Sequence, residues 1–158
     1  MQWSTEPHAG FTKNAKPVLP VISEGPFSYQ LVNVAHQRRD PNSLLNWMER
    51  IIRMRKEVPE VGWGDFTFLK TKQRPVLAMR YDWRNNSVLF LHNLSAEPQE
   101  VRLSVSRKGE DAGTLVNLLS EDHSYSEKNG KHCILLEPYG YRWFRVGGLD
   151  YLLRRSEV

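Results

Sequence analysis

Cysteine is almost absent from this chain: Cys133 is alone among 158 residues. No intrachain disulfide can close, and no thiolate pair can hold a metal. Set in the alternating apolar stretch "HCILLEP", Cys133 reads as a small buried residue, and the setting as cytoplasmic. Long hydrophobic runs are missing too. "SVLFLHNL" and "HCILLEP" reach only strand length, far short of the roughly 20 residues of a membrane span. The first residues show no basic stretch leading into an apolar segment of signal-peptide type. Neither sign of charge dominates, since 22 Lys and Arg against 18 Asp and Glu leave a net +4. Arg38, Arg39, Arg50, Arg53, Arg55 and Lys56 do gather, but Asp40, Glu49 and Glu57 are mixed among them. That is the pattern of a solvated face or of contact with an acidic neighbour, not of a phosphate-binding stripe. Neither nucleic acid nor membrane is an expected partner.

The usual signatures of catalysis are also lacking. His8, His36, His92, His123 and His132 are scattered singly, with no i, i+4 pair, so no metal site is expected. There is no G-x-S-x-G elbow, no G-x-x-x-x-G-K phosphate loop and no G-x-G-x-x-G turn, and no cofactor is expected. Asp65, Asp82, Glu121, Asp122 and Glu137 fall at strand ends and turns, where solvation alone accounts for carboxylates. From the residues themselves no catalytic group can be named.

What is present is a globular composition, 40% hydrophobic and 25% charged, sufficient for one conventional core. Residues 1 to 40 carry Pro7, Pro17, Pro20 and Pro26, and "GPFSYQLVNVAHQ" is their only stretch of alternation. They read as an extended irregular arm that needs a surface to lie on. At "DPNSLLNWMERIIRMRKEVPE" the period becomes helical. Asp40 suits the N-cap and Pro41 the first turn. Leu44, Leu45, Met48, Ile51 and Ile52 share one face, widened by Trp47 and Met54, and Pro59 stops the run. A helix over 41–57 is predicted.

From Gly62 onward the period is two. Segments 65–71, 75–83, 86–94, 99–107, 113–119, 131–138 and 141–146 are strand-length and rich in β-branched and aromatic residues. Turn formers divide them: "RNN" at 84–86, "SAEP" at 95–98, and "EKNG" at 127–130, which offers Asn129 and Gly130 for positive φ. Evenly spaced strands without intervening helices predict a mainly β fold, an antiparallel Greek-key-like sandwich of about seven to eight strands, or a partly open barrel. Trp143 is expected to point into its core. The expected division is 1–59 for the arm and helix, 60–148 for the sandwich, and 149–158 for a tail of open role. Tyr81 and Trp83 share a strand face by the period-two rule, so they could form a ridge that stacks on a sugar.

"MQW", "HAGFT", "PVLPV" and "VNVAHQRRDPNSLLNWMERIIRMRKEVPEVGWGDF" resemble, in order and spacing, the end of the catalytic barrel in the α-amylase family, glycoside hydrolase family 13. The resemblance is strongest to its trehalose synthases (maltose glucosylmutases), then to its oligo-1,6-glucosidases. Met1, Gln2, Trp3, Gly10, Phe11, Asn33, Val34, Gln37, Leu45, Asn46 and Trp47 match the pattern. "LEPYGYRWFRV" looks like the closing strands of the C-terminal β-domain, which extends the resemblance to about residue 147. It implies that residues 1–59 correspond to the last part of a TIM barrel, with Gln2 and Trp3 on the substrate side. It also implies an aspartate nucleophile, a glutamate acid/base and a second aspartate upstream of the Met-Gln-Trp segment, and hence no catalytic residue here. The chain is therefore expected to be the C-terminal portion of a trehalose synthase-like or α-glucosidase-like enzyme, inactive alone. The alternative is a non-catalytic carbohydrate-binding or structural module. Expected partners are the upstream barrel or a second copy, through the apolar face of helix 41–57, and maltose or a maltooligosaccharide.

Overall fold

The computed structural model describes residues 1–14, 16–106 and 113–147. Two compact units result, Met1–Arg53 and Met54–Val158. The expected tail, 149–158, and the end of the expected strand 99–107 lie outside the described residues.

In the first unit the arm is less extended than its prolines suggest. "VAHQRR" forms a helix, α1 (Val34–Arg39), where the alternation of neighbouring residues pointed to extended chain. Its start is fixed by contacts distant in sequence. The Asn33 side chain accepts the His36 amide at 2.9 Å, while the amides of Val34 and Ala35 donate to the carbonyls of Gln2 and Trp3 at 2.9 and 3.0 Å. First-turn amides have no partner within their own helix, so the N-terminal segment supplies them. This explains why six residues suffice for a helix that would not persist in isolation.

The second helix, α2 (Leu44–Glu57), begins later than position 41. Asp40 does not cap it. Asp40 closes α1 instead, and its carboxylate accepts the Asn42 amide at 2.9 Å in a tight turn. The cap is Ser43, whose hydroxyl oxygen accepts the Asn46 amide at 3.2 Å. With α1 ending at Arg39, residues 40–43 form a turn before a new helix starts.

The second unit opens with the short helix α3 (Glu60–Trp63), followed by β1 (Asp65–Phe68), β2 (Val76–Trp83), β3 (Asn86–Asn93), β4 (Gln99–Leu103), β5 (Thr114–Asn117), β6 (Ser124–Tyr125), β7 (His132–Leu136) and β8 (Tyr141–Val146). All pairings among these strands are antiparallel. One sheet runs β1-β2-β3-β8-β5-β6 and the other β4-β7. The fold is thus the mainly β sandwich predicted, with the chain leaving the larger sheet for β4, returning for β5 and β6, leaving again for β7 and returning for β8. Gly64 makes the α3 to β1 corner possible, because a Cβ there would stand 2.5 Å from the Glu60 carbonyl oxygen and 2.7 Å from that of Asp82. The hairpin of β2 and β3 turns through Arg84 and Asn85, with Arg84 at φ 54°. At "EKNG", Gly130 takes the positive φ and Asn129 does not.

Between the sheets lie Val76, Ala78, Leu89, Leu91, Val101, Leu103, Val105, Leu115, Ile134, Leu136 and Phe144. The strand parity that buries Phe144 and Ile134 corrects two expectations. Trp143 faces the opposite side of the sheet, where it packs with Val58, Val88 and Phe90. Cys133 is exposed, because its neighbours His132 and Ile134 take the inward positions of β7.

Candidate functional site

The sequence singled out two pairs of residues, and each belongs to a different unit. In the first, Gln2 and Trp3 are held from two sides. Their carbonyls cap α1, as above. On the other side the amides of Trp3 and Ser4 both donate to the Ala9 carbonyl, at 2.9 and 3.3 Å. Ala9 lies in the turn Pro7–Gly10, where His8, Ala9 and Gly10 are all left-handed, at φ 57°, 57° and 73°. Left-handed backbone costs a non-glycine residue roughly 1 to 3 kcal/mol unless its surroundings impose it, and such residues cluster at working sites. Ala9 is fully buried, so the surroundings do impose it.

The Gln2 amide nitrogen donates to the carbonyls of Phe27 and Val32 at 3.1 and 2.6 Å, while its Oε1 is buried without a hydrogen-bond partner. Trp3 is 49% exposed. Of the other residues carrying the motif, the amides of Asn33, Gln37 and Asn46 are spent on the backbone. Asn33 Nδ2 donates to the Tyr29 carbonyl at 2.9 Å, and Gln37 Oε1 accepts the Leu45 amide at 2.9 Å. Asn46 Nδ2 reaches the carbonyls of Gln37 and Asp40 at 2.9 and 2.7 Å. These side chains build the α1–α2 corner.

In the second unit Tyr81 and Trp83 do share the outer face of the larger sheet. Tyr81 lies within a run of rings: Phe66 is 5.1 Å away, Phe90 5.7 Å away and edge-on, and Trp143 a further 4.6 Å from Phe90. Phe68 extends the run, 4.6 Å from Phe66. The Trp83 ring carries the Arg84 guanidinium 4.3 Å above its centroid, a cation–π contact that occupies one face.

Two polar groupings escaped sequence reasoning. Arg80, buried on the inner face, donates to Asp82 and Ser87 at 2.8 Å each and to the Val105 carbonyl. Arg142 bridges Asp122 and Glu137 at 2.9 and 2.8 Å. The Arg142 hydrogen bond holds the Glu137 carboxyl below its ordinary range. At Asp122 partial burial pushes upward, but the Ser120 hydroxyl and Arg142 outweigh it and the net shift is downward. The partners come from different strands and loops, so no spacing in the sequence announces them. Among the described residues, no three or more His, Cys, Asp or Glu converge as metal ligands, and no helix is long and apolar enough to cross a membrane.

The architecture is that of a β-sandwich module preceded by a capped helical corner. Residues 1–64 match the model of the α-amylase catalytic domain, and residues 86–145 that of the sucrose hydrolase-like C-terminal domain. Together the two matches make the chain correspond to the C-terminal part of enzymes of the α-amylase family, glycoside hydrolase family 13. It is 30% identical over 156 residues to a trehalose synthase of Thermus thermophilus, covering 97% of this chain and 16% of that protein. It is 28% identical over 145 residues to trehalose-6-phosphate hydrolase of Escherichia coli, covering 91% and 24%. The crystal structure of the trehalulose synthase MutB superposes with a TM-score of 0.64 at 26% identity, over 92% of this chain and 24% of that one. Trehalose-6-phosphate hydrolase of Bacillus licheniformis shares the fold, with a TM-score of 0.65 at 20% identity over 93% and 25%. The chain spans between 16% and 27% of the length of the first curated relatives it matches.

Proposed function

We propose that this chain serves a trehalose synthase-like or α-glucosidase-like enzyme as its C-terminal portion, and does no glycosyl chemistry alone. The parent reaction is a retaining double displacement: a carboxylate forms a glucosyl-enzyme intermediate, and the glucosyl unit returns to glucose as trehalose or passes to water. With maltose as substrate and trehalose as product it is an isomerase, working in the cytoplasm. Gln2 and Trp3 stand on the substrate side, while the sandwich supports the barrel. The barrel, or a second copy, meets the chain at the apolar face of α2, whose Leu44, Met48 and Ile52 are 67%, 42% and 49% exposed.

One observation carries this reading: backbone hydrogen bonds pin Gln2 and Trp3 to α1, and Trp3 also to a left-handed turn. A loop so held is built to present something. The test is to incubate the purified chain with maltose and analyse the sugars, alone and with a trehalose synthase barrel lacking its own C-terminal part. No trehalose or glucose is expected from the chain alone, with an increase over the barrel alone when both are present. Turnover by the chain alone overturns the proposal. A sugar-stacking role for Tyr81 and Trp83 has less support, since Tyr81 is flanked by Phe66 and Phe90 and one face of Trp83 is taken by Arg84.

A further inference from the structure

The turn Pro7–Gly10 does more than hold the loop proposed above, for it carries three successive left-handed residues among the described ones. His8, Ala9 and Gly10 follow one another in the left-handed region, where chains of L-residues pass singly if at all. The cost is borne at a specific place. The Ala9 carbonyl accepts from both Trp3 and Ser4, and the Phe11 amide closes the turn on the His8 carbonyl at 3.1 Å. Gly10 lies against the same two residues: a Cβ there would come within 2.9 Å of Ser4 Oγ and 3.3 Å of Trp3 Cβ. The carbonyl fixes the Trp3 backbone and the bare Cα of Gly10 fixes the room beside Trp3 Cβ. Together they set the direction of the Trp3 Cα–Cβ bond, from which the indole projects.

We infer that Ala9 and Gly10 are positioning residues for Trp3, setting the direction in which its ring is presented to a glucosyl unit. This deepens the proposed function and rests on its reading of Trp3 as a substrate-side ring. A flat ring stacks on a sugar face only when its plane is held, and an arrangement fixed before binding loses less freedom on binding. The device has a direct alternative, in which the turn merely closes a loop and Trp3 takes its direction from α1 alone. Under that alternative, substituting Gly10 disturbs His8 and Phe11 but not the indole.

The experiment follows the five tryptophan indole N–H resonances in 15N–1H spectra of the full chain, with Trp3 assigned by its loss in Trp3→Phe. Gly10→Ala puts a Cβ into the space beside Trp3 Cβ and Ser4 Oγ. The Trp3 resonance is expected to shift by more than its line width, while those of Trp63, Trp83 and Trp143 stay in place. Adding Ser4→Gly to Gly10→Ala removes the tighter contact and should move Trp3 part of the way back. If Gly10→Ala abolishes all five signals, Gly10→Asn replaces it under the same criteria, because Asn tolerates the left-handed region better. A Trp3 resonance left at its wild-type position overturns the inference. That outcome leaves the proposed function standing, because the readout is the ring and not the sugar. Turnover of maltose by the chain alone would overturn the proposed function and leave the positioning result as measured.

Discussion

Glu60 and Arg145 meet across 85 positions of sequence, Oε1 to Nη1 at 2.5 Å, with the carboxylate fully buried and the arginine 6% exposed. The pair ties the residues that follow α2 to β8, beside the cluster of Val58, Val88 and Phe90. Glu60 Oε2 has no hydrogen-bond partner, so the carboxylate is only half satisfied. Breaking a buried pair from one side is costly because the other charge stays behind. Replacing both sides is often close to neutral.

Arg145→Met is therefore expected to lower the unfolding free energy by about 3–5 kcal/mol. Combining it with Glu60→Gln should return much of that loss. Urea unfolding followed by near-ultraviolet dichroism measures both. A single variant as stable as the wild type would show that the pair is solvated and that α3 is held by its apolar contacts alone.

Asn46 gives a second, local test. One amide nitrogen serves the carbonyls of Gln37, Asp40 and, at 3.4 Å, Arg38. Asn46→Leu keeps the approximate size and raises helix propensity, but strips the corner of its donor, leaving carbonyls unpaired. A loss of about 1–3 kcal/mol is expected, with a drop in helical dichroism from α1. Unchanged dichroism and melting would mean that Ser43 and Gln37 hold the corner without it.

These elements also show what could be read from sequence. The sandwich was legible because its strand-length segments are rich in β-branched and aromatic residues and are separated by turn formers. Parity within a strand was harder where both faces are apolar. "YRWFRV" puts Trp143 beside Phe144, and "HCILL" puts Cys133 between His132 and Ile134. Neither stretch says which member faces inward until the neighbouring strand fixes it. The helix α1 was not legible, since its first amides are satisfied by Gln2 and Trp3, some thirty residues earlier. Gln2 and Trp3 themselves could be named only through resemblance. The feature that sets this segment apart, a left-handed turn closing on the amides of Trp3 and Ser4, leaves little trace in sequence beyond "HAG".

The pH dependence divides into two windows. Burial lowers the pKa of His92 below its ordinary 6.5, so the folded chain takes up its proton later than the unfolded one. The associated stability is complete above about pH 6.5 and is lost as pH falls from there toward the folded value. Asp122 and Glu137 are also shifted down. Their stability is complete above the ordinary 3.8 and 4.5 and is lost as pH falls through the folded values. Melting temperatures measured at intervals from pH 8 to pH 3 should thus fall in two stages. His92→Phe should flatten the upper stage alone, and Arg142→Ala should weaken the lower one. An upper stage that persists in His92→Phe would assign it to another histidine.

The exposed stripe of α2 separates association from stability. Leu44, Met48 and Ile52 recur at i, i+4 and i+8, and all three are exposed, so they contribute little to the packing of the chain that carries them. A lysine at the middle position, Met48→Lys, should change the unfolding free energy by no more than about 0.5 kcal/mol, as expected for surface substitutions. If the stripe is a docking face, the same change should abolish binding to a barrel or to a second copy, because an ammonium would be buried in an apolar contact. Sedimentation velocity over a concentration series, with and without a trehalose synthase barrel, reads this directly. A wild-type chain that remains monomeric, ignores the barrel and binds no apolar dye would remove the reason for assigning α2 a partner. The apolar stripe would then need another explanation.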